Sequence, residues 1–165
     1  MTLPSTIYRL RSTISRGFTL IELLIVISII GILTAIVTTN LVAARARARD
    51  ARRKGDLEAI SQSLRLYYAD NQSFPLTTAM PSSGEFFGDP DTATTYMSYL
   101  PFDPSFTTTN QVTYRYCSID GNSFALVAKL ENLSDSDIGN SQARCNSLLN
   151  GCSITSTEDY VICGE

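Results

Sequence analysis

From Phe18 to Val37 the chain reads FTLIELLIVISIIGILTAIV, 20 residues that are apolar on every side except for one charge, Glu22. As an α-helix rising about 1.5 Å per residue, such a run spans roughly 30 Å, the hydrocarbon thickness of a bilayer. Further along the pattern changes. Leu57, Ile60, Leu64, Tyr67 and Tyr68 recur at helical spacing within a stripe of about 100°, so the same helix is predicted to continue with one face against a globular body. The turn formers and proline of Asp70-Asn71-Gln72-Ser73-Phe74-Pro75 end it. Positions 112 to 118 and 123 to 130 read as strands joined at the tight-turn signal Asp120-Gly121-Asn122. In the second of them Phe124, Leu126, Ala128 and Leu130 alternate onto one face, suited to cover the helical stripe. Positions 160 to 163 read as a last strand. The Thr, Ser, Pro and Gly of 76 to 110 surround a short apolar island, Tyr96 to Leu100, and read as a long connecting loop with at most one helical turn. A polar, cysteine-bounded loop fills the interval between Leu130 and Tyr160. The expected fold class is α+β: a long N-terminal helix, half of it of membrane-spanning length, packed on a small antiparallel β-sheet with a disulfide-bounded C-terminal loop region.

At 165 residues the chain has room for one compact domain and one long element, which excludes a large multi-domain enzyme. Histidine is absent and no GxxxxGK[ST] phosphate loop occurs, so no His-based triad, zincin or nucleotide site is expected, and the chain reads as a protein without catalytic activity. Its charge is segregated. Arg9, Arg11 and Arg16 precede the apolar run, which favours a cytoplasmic N-terminus and export of the chain beyond Val37, and leaves the exported part more acidic than the net charge of −3 suggests. Directly after the run, RARARDARRK at 45 to 54 holds six basic side chains and one acid. Such a cluster suits nucleic-acid phosphates. Its place beside a membrane segment favours a solvated collar at headgroup level, with Arg52–Asp56 and Lys54–Glu58 as i,i+4 pairs.

Glu22 is the residue that an ordinary anchor or secretory signal does not explain. Secretory apolar regions run about 7 to 15 residues and carry no carboxylate, although a cleavage site of that kind is readable at Val42-Ala43-Ala44. A plain anchor leaves a charge whose burial at mid-bilayer costs about 3 kcal/mol on insertion scales. Cleavage just before Phe18 supplies a partner, because it creates an α-amino group that can neutralise the carboxylate of an axially staggered second copy.

The run Arg16-Gly17-Phe18-Thr19-Leu20-Ile21-Glu22 and the apolar stretch after it resemble the class III signal of type IV prepilins and type II secretion pseudopilins. The resemblance implies that a dedicated aspartyl peptidase cuts after Gly17 and methylates Phe18, and that Glu22 registers neighbouring subunits. Gly31 matches a glycine of the pilin stalk at which the helix loosens. Many pilins carry a proline eight residues later, where this chain has Thr39. The tyrosine pair, Asx-rich turn and proline of 57 to 75 resemble major pseudopilins. The implied organisation is a leader at 1–17, a transmembrane and filament-core half-helix at 18–38, a basic collar and amphipathic half-helix at 39–75, and a head at 76–165.

The implied function is that of a structural subunit, major pilin or pseudopilin, of a type IV pilus or type II secretion-like filament. The alternative is a minor pilin acting as an adhesin or DNA-uptake module. The implied partners are copies of itself, the peptidase and methylase, an inner-membrane assembly platform, other pilins and membrane lipid, with nucleic acid as an outside candidate. The implied location is a single-pass inner-membrane precursor that becomes an extracellular or periplasmic filament. Cys117, Cys145, Cys152 and Cys163 come after the membrane run, lack CxxC spacing and have no histidine to join them, so disulfides are expected rather than zinc. Four cysteines permit three pairings, of which Cys145 with Cys152 and Cys117 with Cys163 is the expectation. No cofactor is expected. Asp135-Ser136-Asp137-Ile138-Gly139 faintly resembles the pseudopilin calcium loop, which makes Asp135 and Asp137 candidate ligands; the competing reading is solvated surface acids.

Overall fold

The computed structural model of the chain describes residues 17–89, 93–146 and 156–165, with the side chains of 38–40 left aside. It divides into two compact units, Met1–Leu41 and Val42–Glu165. Helix α1, Leu20–Asn71, contributes to both and is helical through Gly31 and Thr39.

In the first unit α1 is stabilised at its start by Thr19, whose Oγ1 accepts from the Glu22 amide at 3.3 Å, as a Ser or Thr N-cap does for the first free amides of a helix. Every side chain described from Phe18 to Val37 is exposed within the chain itself.

The second unit is a layered α+β body. Strands β1, Phe87–Asp89, and β2, Thr94–Met97, form a two-stranded antiparallel ribbon. Strands β3, Arg115–Cys117, β4, Phe124–Lys129, and β5, Asp159–Gly164, form an antiparallel sheet in the order β3-β4-β5. Tyr116 sits opposite Leu126, and Leu126 opposite Ile162. The β3–β4 turn is the expected one, with Gly121 at φ 75°, a left-handed conformation that glycine adopts at little cost. One sheet face carries Phe124, Leu126 and Ala128 onto Leu57, Ile60 and Leu64 of α1, with Tyr67 and Tyr68 packed at the edge. This is the pairing of stripe and strand that the sequence predicts.

Two regions depart from expectation. The apolar island at 96 to 100 belongs in part to β2 rather than to a loop, because Tyr96 packs edge-on against Tyr67 at 5.3 Å and beside Phe87 at 5.5 Å. The interval after Leu130 contains a helix, α2, Ser136–Cys145, where the sequence predicts a loop. Asp135 caps it by accepting from the Asp137 amide at 3.0 Å. Ile138, Ser141 and Cys145 recur on its buried face, and Ala125, Val127 and Val161 of the second sheet face meet Cys145 there. Covering both faces explains why β4 is buried at five successive positions.

The disulfide pairing is also corrected. Cys145 bonds Cys163, with their Cα atoms 5.7 Å apart, so neither Cys145–Cys152 nor Cys117–Cys163 forms. The cause is α2 itself: it lies along β5, where Ser141 Oγ accepts from the Val161 amide at 3.1 Å, and this carries Cys145 at the helix end over Cys163. Cys117 is disulfide-bonded as well. Cys152 lies outside the described residues.

Candidate functional site

The N-terminal half of α1 is the first place where the side chains ask for something the chain does not supply. Between Leu20 and Val37 there are three polar side chains. Two are satisfied internally: Ser28 Oγ donates to the Leu24 carbonyl and Thr34 Oγ1 to the Ile30 carbonyl, both at 2.7 Å. Back-bonding of this kind lets hydroxyls sit in an apolar medium. The third is Glu22, in the first turn and exposed, with no partner for its carboxylate among the described residues. A helix with aliphatic residues all round and one unpaired carboxylate is stable only where lipid or other helices cover it. By length and composition it is able to cross a membrane. A Cβ added at Gly31 would meet nothing within 4 Å, so no packing among the described residues requires glycine there. Gly17 and Phe18 precede the helix, and both are exposed, Phe18 at 77%. The leader arginines lie outside the described residues.

The second place is the basic segment, and it differs from a solvated collar. Arg53 is 2% exposed. Its guanidinium donates to Asp103 at 2.7 and 3.0 Å, to Asp50 at 2.6 Å and to Ser105 at 2.6 Å, and lies 2.9 Å from Glu131. Asp50, itself buried, also accepts from the amides of Glu131 and Asn132 at 2.9 and 2.8 Å. Burial pulls the Arg53 guanidinium down, but bonds to Asp103, Asp50 and Glu131 outweigh it and hold the group charged. Arg49 adds a bidentate pair to Glu131, at 2.8 and 2.5 Å, and this bond above all holds the Glu131 carboxyl down at about 2. Sequence reasoning missed Arg53. A signal was present, since Arg53 stands four residues before Leu57 on the line of Leu57, Ile60 and Leu64 and three after Asp50; its partners Asp103 and Glu131, 50 residues and more away, were not foreseeable.

Lys54 does not pair with Glu58. Its Nζ sits 2.7 Å from both Asp135 and Asp137 and 5.3 Å from the centre of the Tyr160 ring. The two candidate calcium ligands are therefore brought together around an ammonium ion. No group of three or more metal-ligating side chains occurs among the described residues. The expected Arg52–Asp56 pair is present at 3.9 Å. Tyr114 donates to Asp56 at 2.6 Å, and burial together with that carboxylate pushes the phenol well above its ordinary range.

The family described as the prokaryotic N-terminal methylation motif matches residues 13–38. The type II secretion system core protein G of Escherichia coli K12 is 39% identical over 62 residues, 38% of this chain and 43% of the relative. The protein of the same name from Pseudomonas aeruginosa is 41% identical over 61 residues, 37% of this chain and 43% of its own. The type IV wide pilus major component PilA4 of Thermus thermophilus is 48% identical over 60 residues, 36% of this chain and 46% of its own. The match thus spans less than half the length of each relative. No solved structure matches the chain. With the methylation motif on the exposed apolar helix, and with these relatives a pilin or a secretion-system core protein, the N-terminal third of the chain is similar to the type IV pilin-like family.

Proposed function

We propose that this chain is a structural subunit of a type IV pilus or type II secretion-like filament, drawn from a membrane pool after its leader is removed. The observation that carries the reading is Glu22, in the first turn of α1 and within the segment matched by the methylation motif, an exposed carboxylate with no partner among the described residues on an otherwise uncharged, apolar run. Cleavage after Gly17 frees an amino group at Phe18, which is then methylated. In a bundle of parallel helices that amine and the Glu22 carboxylate of an adjacent copy neutralise each other, so an otherwise prohibitive buried charge becomes a device for setting axial register. Gly31, with no packing role among the described residues, is where the helix yields when subunits crowd together, since glycine weakens a helix by about 1 kcal/mol relative to alanine.

The precursor sits in the inner membrane as a single pass with its leader inside and its head outside. Peptidase, methylase and assembly platform act on it, and it performs no chemistry. Asp135 and Asp137 serve as counter-ions for Lys54 rather than as calcium ligands, a reading supported by the two 2.7 Å contacts. The test is mass spectrometry of the mature N-terminus in the filament or membrane fraction. The expected species starts at N-methylated Phe18; an intact Met1, or a start near Arg45, would contradict the reading.

A further inference from the structure

Of the six basic side chains between Arg45 and Lys54, the head consumes three: Arg49, Arg53 and Lys54. Arg45 and Arg47 are exposed and have no partner among the described residues, and the Arg52 side chain is 66% exposed with only a 3.9 Å approach to Asp56. The other end of α1 shows the opposite imbalance. Its last turn holds no basic residue. Its late carbonyls are met by neutral amides, Asn71 Nδ2 on the Tyr67 carbonyl at 3.1 Å and Gln72 Nε2 on the Ala69 carbonyl at 3.2 Å. Exposed Asp70 there accepts from the Tyr96 hydroxyl at 3.0 Å, a donor that leaves its charge in place. A helix C-terminus already carries partial negative charge, so Asp70 deepens a negative spot that a cation would relieve.

Arg52 and Asp70 stand five helical turns apart on one line of α1, and Arg45 lies within about 20° of that line. On one side of this line lie the small or apolar Ala48, Gly55, Ala59 and Leu66, the last 58% exposed; on the other, Ser63 is buried and Asp56 accepts from the Tyr114 hydroxyl. A Cβ added at Gly55 would meet nothing within 4 Å. On one rigid helix the basic and acidic ends are about 27 to 38 Å apart and cannot meet. Two copies displaced along the axis can bring them together.

We propose that the Arg45 and Arg52 end of this α1 face docks on the Asp70 end of α1 in a second copy of the chain. The occupant is a second copy because one molecule carries both halves of the charge complement at a fixed axial offset. Such a contact is head-to-tail, which leaves a free basic end and a free acidic end on every dimer, so it repeats into an open polymer rather than closing. The inference rests on the proposed filament role and adds to it a second, salt-sensitive register outside the apolar bundle.

The test is charge reversal in the full chain. Filament mass in the sheared fraction is measured for the unsubstituted chain, for Asp70→Arg, for Arg45→Asp with Arg52→Asp, and for the three together, at rising sodium chloride. Each reversal alone should lower the salt concentration that releases half the polymer by about half, and the combination should restore it. Unchanged salt tolerance in both reversals, or loss that the combination does not rescue, would overturn the contact while leaving the filament reading intact. If the arginine reversal instead releases the monomeric precursor from the membrane and spares filaments, the arginines face anionic lipid headgroups and the proposal fails. No filament from the unsubstituted chain would overturn the filament reading, and this contact with it.

Discussion

Removing the Arg53 guanidinium would take the ion-pair partner from Asp50 and Asp103, both at least 97% buried, and leave Arg49 paired to Glu131 alone. Breaking a buried ion pair from one side costs about 3 to 5 kcal/mol, because the surviving charges are left desolvated. Arg53→Met should therefore lower the unfolding free energy of the detergent-solubilised chain by an amount in that range, read by tyrosine fluorescence. The wider network also predicts a pH dependence. Glu131 is held at about 2 against an ordinary 4.5, so the folded state prefers its charged form. Its contribution is complete above the ordinary value and is lost as pH falls from about 4.5 toward about 2. Glu131→Gln should flatten the stability profile in that window and leave it unchanged near neutrality apart from a constant offset. The Arg52–Asp56 pair and the stripe from Leu57 to Tyr68 were readable from the sequence because their meaning is local, set by spacing along one helix. Arg53 was not, because Asp103 and Glu131 reach it only through the tertiary fold.

The elements divide in the same way. The C-terminal half of α1 and the β3–β4 hairpin were legible in period and turn chemistry, and β4 falls where its alternation of Phe124, Leu126 and Ala128 predicts. Helix α2 was hidden by its length of 10 residues and by a polar composition that leaves Ile138, Ser141 and Cys145 as its inward side chains. The short β1–β2 ribbon was hidden because its reason for existing is aromatic packing, Tyr67 on Phe87 at 5.5 Å, rather than any alternation of its own. The disulfide error came from missing α2: without that helix nothing brings Cys145 to β5. Closing an 18-residue separation, this bond is expected to stabilise the folded state by about 3 kcal/mol. Cys145→Ala should cost about that much in equilibrium denaturation, while Cys163→Ala on the same background should add little, since both remove one bond.

At the scale of the whole molecule, the two units make different demands. The second satisfies its own polar groups: among the described residues, no buried side-chain nitrogen or oxygen lacks a partner. The first leaves an aliphatic surface and one carboxylate exposed. On the function proposed above, lipid and then other copies complete such a chain, which gives its likeness to pilins and secretion-system core proteins a physical content. Glu22 is the residue on which the two environments differ. In the membrane it is a cost that one subunit tolerates alone, near the helix start where the macrodipole favours an anion. In the proposed filament it would gain the Phe18 amine of a neighbour. The most direct measurement is therefore filament yield for Glu22→Ala, taken alongside membrane content of the same variant. The expected result is normal membrane insertion with filament yield reduced to a small fraction of that of the unsubstituted chain; normal yield would contradict the claim that this carboxylate makes the anchor a polymerising one.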